Sequence, residues 1–319
     1  MTDKLSGTLA KTALVPARDL LPRGRRHPLI IAMALAAGGT AKTSTTTILG
    51  TILALRGYIV RIFDLDPQCN SSEICGRREE HREPEQKTVW DLIQGLCTLD
   101  EATVPARYRT GYDDDGNPLF KEVPNLFVVH GDSQLTDTDT LLANKPQKFN
   151  WFYNLTGQYT KGDMEAQDRE VWLLDLPANY GKLTVSALIA MTEDDEVIPP
   201  LLVTGKESGA LEKLLKELLA MQREFSGDMA PATPTVKHVL LCATPTSSHN
   251  AQEYHDTVEE VERDYPGMVL PYVRHSGVTA KQYRRQVTPP ISDPKSAPSV
   301  DYEKVADALG FPDLEPAEG

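Results

Sequence analysis

A glycine-containing loop between an apolar run and a helix constrains the fold of this chain more than any other feature. The apolar run 28–34 predicts a strand, and a helix is predicted over 42–56, where Gly57 ends it. The run 58–63 predicts a second strand that ends in acidic residues. A strand, a glycine turn, a helix and another strand form a βαβ unit, whose two strands lie parallel in one sheet.

The alternation of strands and helices continues along most of the chain. Further strands are predicted over 125–130, 171–174, 196–203, 237–243 and 268–273. Helices are predicted over 88–96, 207–225 and 302–309, and a loop or small hairpin over 111–118. This pattern predicts an α/β fold, with a mostly parallel twisted sheet of about seven strands and helices on both faces. We expect three parts: a basic N-terminal extension (1–27), one domain (28–310) and an acidic flexible tail (311–319).

The composition excludes several classes of protein. The formal net charge is −13, so any contact with nucleic acid must use a local basic patch rather than the whole surface. None of the four cysteines forms a CxxC pair, which favours reduced structural thiols over a zinc or iron–sulfur site. The sequence has no run of 18 apolar residues and no apolar leader of the signal-peptide kind, so we expect a cytoplasmic protein without a membrane span.

The loop 36–44 (Ala-Ala-Gly-Gly-Thr-Ala-Lys-Thr-Ser) has features of a phosphate-binding loop. Backbone N–H groups at the start of a helix favour anions, and glycines let the backbone approach phosphate oxygens closely. Lys42 is expected to neutralise phosphate charge, and Thr43 to place its hydroxyl on Mg²⁺. The predicted nucleotide-binding residues of the loop are Gly38, Gly39, Thr40, Ala41, Lys42, Thr43 and Ser44. The loop departs from GxxxxGK[ST] at Ala36 and Ala41, so a tight turn with a chance lysine is the alternative.

Acidic residues follow two of the predicted strands. Asp64 and Asp66 stand two positions apart, so both carboxylates project to the same side of an extended segment. One can organise metal-bound water, and the other can orient the attacking water. Asp175 follows the strand 171–174, where a carboxylate commonly reaches Mg²⁺ through water. We therefore predict metal ligands at Thr43, Asp64, Asp66 and Asp175, the alternatives being solvated loop acids for the pair and a cap for Asp175.

Five segments resemble motifs of one known family. In chain order they resemble KGGxGKT[ST], RGY…DLDPQGN, DxPPSLGxLT, VIIPV…EGL and a late IPR strand, at residues 37–44, 56–72, 172–184, 197–219 and 269–274. These are motifs of the ParA/MinD group of deviant-Walker ATPases, and the chain resembles ParA partition proteins most closely. The resemblance extends over about residues 28–310, with the motifs in the same order.

The resemblance implies roles for the residues at the matching positions. Lys42, Asp66 and Asp175 would be catalytic. Lys42 would hold phosphate, Asp66 would position or activate the hydrolytic water, and Asp175 would bind the Mg²⁺ shell and signal loss of the γ-phosphate. Residues 176–184 would be a switch segment whose order depends on the nucleotide. Four residues would cradle adenine: Thr244, Pro245, Pro271 and Val273.

The chain departs from the family pattern at two positions. Ala37 stands where the family has its signature lysine, which reaches the partner's nucleotide across the dimer. Either hydrolysis is weakened or another lysine substitutes, the candidates being Lys182 and Lys206. Loss of this lysine also occurs in related ATPases that position carboxysomes, which keeps a protein-organelle cargo open. Ala41 replaces a loop glycine, so either its Cβ costs about 1–2 kcal/mol at positive φ or the loop has adjusted.

The resemblance also implies a function. The protein would be an ATP hydrolase that requires Mg²⁺, is slow, and is stimulated by a ParB-like or other cargo adaptor. ATP would form a homodimer that binds nucleoid DNA without reading sequence, and hydrolysis would release it, so that a plasmid or chromosome region is positioned or segregated. The stretch 274–285 has no acid, and its cations are the predicted DNA contacts, unless they are only a solvated surface: Arg274, Lys281, Arg284 and Arg285. Residues 1–27 would be a flexible leader or an arm for DNA or a partner.

Three other functions stay open. A MinD-like ATPase that acts at a membrane would need a basic amphipathic C-terminal helix, whereas the tail 311–319 is acidic. A reductase relative would need a cysteine soon after Asp175, and none follows until Cys242, while a small-molecule synthetase would need a substrate pocket. A weakly hydrolysing, nucleotide-bound scaffold would fit the alanines at positions 37 and 41.

Overall fold

The computed structural model describes residues 27–79, 82–145, 149–159, 169–202, 207–225, 231–244 and 251–314. Lys206 and Pro245 lie outside these ranges, as do residues 1–26 of the N-terminal extension and 315–319 of the tail. Each helix within these ranges is too short or too polar to cross a membrane.

Strands and helices alternate along the described chain. The strands are β1 (Leu29–Met33), β2 (Ile59–Asp64), β3 (Thr103–Tyr112), β4 (Pro118–Val129), β5 (Glu170–Asp175), β6 (Glu196–Ile198), β7 (Pro200–Leu202) and β8 (Leu240–Cys242). The helices are α1 (Lys42–Leu55), α2 (Asn70–Ile74), α3 (Val89–Gln94), α4 (Leu99–Ala102), α5 (Thr138–Asn144), α6 (Trp151–Tyr159), α7 (Lys182–Leu188), α8 (Glu207–Glu224), α9 (Ala251–Asp264), α10 (Gly277–Arg285), α11 (Pro289–Ser292) and α12 (Ala297–Ala308). A short 3₁₀ helix, Ser133–Asp137, precedes α5.

The main sheet has six strands in the order β3–β4–β2–β5–β1–β6. All neighbours pair parallel except β3 and β4. Strands β7 and β8 form a second, parallel pair. Pro199 separates β6 from β7, and because proline lacks an N–H donor, the single predicted strand 196–203 is divided there. The predicted α/β fold with a mainly parallel sheet is confirmed.

Helices cover both faces of the sheet. On β1, Ile30 and Ala32 belong to a core with α3 and α5–α9, whereas Leu29, Ile31 and Met33 belong to a core with α1 and α12. Successive side chains of a strand point to opposite faces, so this strand is buried on both sides. The leucines of α8 that were predicted to face the core do so: Leu211, Leu214, Leu215 and Leu218.

Several predicted elements differ from those observed. The segment 268–273 is not a strand, because it contributes only isolated bridges beside β8, such as Val239 with Val269. The pattern does not predict β3, because arginines and tyrosines alternate there in place of an apolar face. The segment 111–118 is the tip of the hairpin β3–β4, which confirms the hairpin alternative. Helices α5, α6, α7, α9 and α10 are also found without being predicted.

The hairpin β3–β4 contacts the ends of α2 and α10. The Arg107 N–H donates to the Cys75 carbonyl at 3.0 Å, and Arg107 Nε donates to the Gly76 carbonyl at 2.7 Å. Gly76 has φ +70°, and a Cβ there would lie 2.5 Å from the Arg107 carbonyl oxygen, so only glycine fits. The Arg109 N–H donates to the Gln286 carbonyl at 3.0 Å, directly after α10. The hairpin thereby holds the C-terminal end of that helix.

Candidate functional site

A cavity of about 720 Å³ lies beyond the carboxyl ends of β1, β2, β5 and β8. Ligands of open α/β sheets bind at this edge. The phosphate loop lines the cavity with residues 38–44, the segment after β2 with Asp66, Pro67, Gln68 and Asn70, and the segment after β5 with Pro177, Ala178 and Asn179. The far wall is formed by Cys242, Ala243, Val273, Arg274, His275, Ser276, Thr279, Ala280 and Tyr302, and Thr136 completes the lining.

The phosphate loop turns into α1 through a left-handed residue. Ala41 precedes the helix with φ 67° and ψ 16°, and Gly39 has φ +74°. Of the two expectations for Ala41, the structure therefore has the strained one, in which a residue with a Cβ occupies positive φ at about 1–2 kcal/mol. The free N–H groups of the first turn of α1 face the cavity side, where anions are favoured.

Lys42 is buried inside the loop, with only 7% of its surface exposed. Its Nζ donates to the carbonyl oxygens of Leu35 (3.1 Å) and Ala37 (2.9 Å). Burial lowers the pKa of Lys42, while the charges of Asp175 and Asp66 act in the opposite direction. The ammonium group of Lys42 is thus held by the carbonyl oxygens of Leu35 and Ala37, and it lies near enough to Asp175 and Asp66 for their charges to act on it.

Asp64 and Asp175 are neighbours in the sheet. They stand opposite each other in the β2–β5 register and both are fully buried. Ser72 donates to Asp64 Oδ2 from its N–H and its hydroxyl, both at 2.7 Å, and the Ser71 hydroxyl donates to Asp175 Oδ2 at 2.6 Å. Burial, followed by the charge of Asp175, raises the pKa of Asp64 to about 8. Burial raises the pKa of Asp175 to about 6, against the hydrogen bonds from Ser71 and Thr43.

The unpaired oxygens at these acids fit a hydrated Mg²⁺ ion. Oδ1 of Asp64 and Oδ1 of Asp175 are buried without a hydrogen-bond partner among the described residues. An unpaired buried carboxylate oxygen is costly, and a cation or its water would satisfy it. The described residues contain no group of three His, Cys, Asp or Glu side chains that could hold a metal alone.

Asp66 lies at the mouth of the same edge and is partly exposed. Its Oδ1 accepts the Gln68 N–H at 2.9 Å, and its carbonyl accepts the Cys69 N–H at 2.9 Å. The turn orients the carboxylate toward the cavity that Lys42 and Thr43 also line. Three predicted site residues from two separate segments are therefore brought together.

Two residues that the sequence did not single out support the site, one beside the acids and one at the phosphate loop. The Gly131 N–H donates to the Ser72 hydroxyl at 2.9 Å. A Cβ at Gly131 would lie 3.0 Å from Asp64 Cγ and 3.0 Å from Cys69 Sγ, so a side chain there would displace the site. Gln282 is the second, because its Nε2 donates to the Ser44 hydroxyl in the phosphate loop at 2.8 Å. Both lie far along the chain from their partners, and no local pattern marks them.

The predicted adenine residues are only partly at the cavity. Val273 lines it. Thr244 is buried and hydrogen-bonds the Val273 carbonyl through its N–H at 3.0 Å, but neither Thr244 nor Pro271 is part of the lining. Lys182 is exposed at the start of α7, with its N–H donating to Asp139 Oδ1 at 2.7 Å, and its side chain does not line the cavity.

The predicted DNA-contacting cations occupy two different environments. Arg274 lines the cavity and is bound to the buried Asp301, with Nε and Nη2 each 2.8 Å from a carboxylate oxygen. Lys281, Arg284 and Arg285 are exposed on α10 and form no ion pair with any described residue. Of the four predicted cations, Lys281, Arg284 and Arg285 are therefore the ones that a large anionic partner can reach without displacing an ion pair between described residues.

Comparison with known proteins identifies relatives of this chain. The sequence profile of the CobQ/CobB/MinD/ParA nucleotide binding domain matches residues 31–289. A protein of Rhizobium rhizogenes assigned as a replication protein A is 30% identical over 186 residues, which are 55% of this chain and 41% of that protein. The chromosome partitioning protein ParA of Caulobacter vibrioides is 29% identical over 198 residues, which are 62% of this chain and 64% of that protein. The chain thus spans less than two thirds of either relative.

A solved structure supports the fold over nearly the whole chain. Apo McdA of Cyanothece superposes with a TM-score of 0.69 at 17% identity, over 89% of this chain and 100% of that chain. The profile match covers most of the chain and includes the phosphate loop and the three acids. This chain therefore belongs to the CobQ/CobB/MinD/ParA family of nucleotide-binding domains.

Proposed function

We propose that this protein is a nucleotide-gated switch that dimerises on ATP, binds duplex DNA without sequence preference, and releases it after hydrolysis. The proposal rests on one observation, which is that the phosphate loop, Asp66 and the segment 177–179 line the same cavity. A bound γ-phosphate would face all three, so its loss would be felt by the segment that follows β5. The cargo is a plasmid or a chromosome region, and the name of the Caulobacter relative, a chromosome partitioning protein, supports the second of these.

Each residue of the site has a defined part in hydrolysis. Backbone N–H groups of the loop and the ammonium of Lys42 would bind phosphate oxygens, and Thr43, Asp175 and Asp64 would hold the hydrated Mg²⁺. Mg²⁺, when bound, neutralises negative charge on the phosphates. Asp66 is partly exposed and is the carboxylate placed to orient the attacking water. Hydrolysis is expected to be slow, because Ala37 supplies no cation to a partner's nucleotide.

The exposed cations of α10 are the proposed DNA contacts. Lys281, Arg284 and Arg285 lie on one short helix, and their charges would attract phosphates without reading bases. The net charge of −13 repels DNA over the rest of the surface, so binding is expected to be weak and strongly salt-dependent. Arg274 is a less favourable contact, because Asp301 already binds its guanidinium.

A second candidate function is the positioning of a protein organelle. The alanine at position 37 supports it, because the resemblance places the signature lysine there and related ATPases that position carboxysomes also lack that lysine. In both functions a ParB-like or other adaptor would stimulate hydrolysis, and the protein would be found on the nucleoid. Lys182 is the described candidate for the missing lysine, because it is exposed in the segment that follows Asp175.

Binding to random-sequence duplex DNA at low salt, with ATP, ADP or no nucleotide, tests the proposal. Light scattering on the same samples reports the oligomeric state. Dimers and DNA binding that require ATP, and that fall off with added salt, are the expected result. Lys42→Ala should abolish both, whereas Asp66→Ala should retain ATP-dependent dimers and lose turnover. A chain that neither dimerises nor binds DNA in any nucleotide state would refute the switch and leave a scaffold or a metabolic enzyme.

A further inference from the structure

Helix α10 connects the nucleotide cavity to the exposed cations. Ser276 and Thr279, at its start, line the cavity, whereas Lys281, Arg284 and Arg285 are exposed at its end. A helix of 9 residues is about 13 Å long, and the cations follow Thr279 by two to six residues, which is less than two turns. Any shift of the start of α10 would therefore move the cations as a unit.

Gln282 lies on the same helix, directly after Lys281, and is almost completely buried. Only 3% of its surface is exposed, its Nε2 donates to the Ser44 hydroxyl at 2.8 Å, and its Oε1 has no partner among the described residues. A buried amide with one unsatisfied atom is a poor choice for packing alone, since a methionine of similar volume would fill the space without that penalty. The amide is better explained by its bond to the phosphate loop.

Ser44 is the residue through which the cavity can act on Gln282. It lines the cavity directly after Thr43, and its hydroxyl oxygen accepts the bond from Gln282. The hydroxyl proton of Ser44 remains available to a phosphate oxygen in the cavity. Donating that proton would polarise the hydroxyl and strengthen the bond from Gln282, because hydrogen bonds in a chain reinforce one another.

The other end of α10 is attached to the segment that follows Asp66. Gln286 Nε2 donates to the Glu73 carbonyl at 3.4 Å, and a hydrogen bond to the Glu73 carboxylate raises the pKa of Tyr283 to about 12. Glu73 belongs to α2, which begins four residues after Asp66. From the hairpin side, Arg109 Nη2 donates to the Arg284 carbonyl at 2.8 Å. The cationic half of α10 is thus connected to α2, whose first residue Asn70 lines the cavity, and to the hairpin β3–β4.

We propose that Gln282 is a positioning residue that couples occupancy of the nucleotide cavity to the placement of α10 and its cations. The part that concerns DNA rests on the proposed function, whereas the coupling of nucleotide to α10 does not. A neutral hydrogen bond of this kind changes an equilibrium about 2- to 12-fold. Coupling of this size would make the cations of α10 more ordered when a nucleotide is bound.

Hydrogen exchange on the full chain, with and without ADP and Mg²⁺, tests the coupling without DNA. In the wild type, the nucleotide is expected to slow exchange of the amides of α10 by about 2- to 12-fold. Gln282→Met keeps the volume and removes the bond, so this slowing should be lost while the nucleotide still protects the amides of α1. Val278→Ala is the matched control, because it shortens a half-buried side chain of the same helix and keeps the bond from Gln282 to Ser44, so it should leave the nucleotide-induced difference unchanged.

The outcomes separate the coupling from the DNA function. Equal slowing of α10 in the wild type and in Gln282→Met would overturn the coupling, as would a wild-type α10 that ignores the nucleotide. If the variant does not fold, the wild-type arm can still refute the coupling, because an α10 that ignores the nucleotide is not coupled to it. On duplex DNA, Gln282→Met should reduce the gain in affinity on adding ATP by about 2- to 12-fold. If the nucleotide slows exchange of α10 in the wild type but not in Gln282→Met, and the wild type never binds DNA, the DNA function is refuted and the coupling stands.

Discussion

The left-handed backbone of Ala41 predicts that glycine at this position stabilises the protein. Ala41 has φ 67° and ψ 16°, and a residue with a Cβ in this region costs about 1–2 kcal/mol. Glycine removes that strain but gives the unfolded chain more freedom, which opposes the gain by about 0.4–1 kcal/mol. The difference is a net increase in the free energy of unfolding of roughly 0.8 kcal/mol for Ala41→Gly, and at most about 1.6 kcal/mol.

Urea unfolding of the nucleotide-free protein measures this change, and the same loop offers a reciprocal control. Gly39 has φ +74°, and no heavy atom lies within 4 Å of a Cβ built there, so Gly39→Ala introduces backbone strain and little else. It should lower the free energy of unfolding by roughly 0.8 kcal/mol, for the same reasons in reverse. Ala54→Gly, in the last turn of α1, should lower it by up to about 1 kcal/mol through the poor helix propensity of glycine.

The sign of the Ala41→Gly effect decides the argument. If this variant is destabilised as much as Ala54→Gly, the loop does not hold residue 41 in a left-handed conformation without nucleotide. The strain attributed to the Cβ of Ala41 would then be absent, and the reasoning would be wrong.

Three further predictions concern the acids and the cations. Because the pKa of Asp64 is raised to about 8, its contribution to the stability of Mg²⁺-free protein is fully present below the unfolded pKa near 4 and is lost as the pH rises through about 8. Asp64→Asn should remove that part of the pH dependence in urea unfolding with EDTA, and an unchanged profile would contradict it. Gly131→Ala should lower the free energy of unfolding by about 1–3 kcal/mol by crowding Asp64. An unchanged free energy of unfolding would show that Asp64 and Cys69 move aside without cost. Combined replacement of Lys281, Arg284 and Arg285 by alanine should lower the slope of log affinity against log salt by about 0.9 per lost phosphate contact, and an unchanged slope would place the DNA contact elsewhere.

The parts of the site that lie just after predicted strands could be predicted from the sequence. Lys42, Asp66 and Asp175 each follow a predicted strand, and the carboxyl ends of parallel strands meet at one edge, so the pattern alone brings them together. The left-handed conformation of Ala41 could be stated only as one of two alternatives, because an alanine at a glycine position is compatible with either strain or a changed loop.

The contacts between distant segments were not predictable from one sequence. Gln282 and Ser44 are separated by 238 positions, and Gly131 and Ser72 by 59. Arg274 shows the same limit, because its local stretch has no acid, yet Asp301 lies 27 positions further on and binds it. Charge patterns along the chain report local composition, whereas pairing depends on how helices are placed over the sheet.

Backbone strain and unpaired polar atoms meet around the nucleotide cavity. Ala41, Cys69 and Ala243 have φ of 67°, 52° and 56°, and each lies in or beside a segment that lines the cavity. Asp64 and Asp175 each keep a buried oxygen without a partner among the described residues. These features lower the stability of the fold at the one place where a cation and phosphates would supply the missing partners. Because a ligand that binds only the folded state stabilises it by mass action, ADP with Mg²⁺ should stabilise the protein more than ADP with EDTA, and Asp64→Asn should reduce that difference.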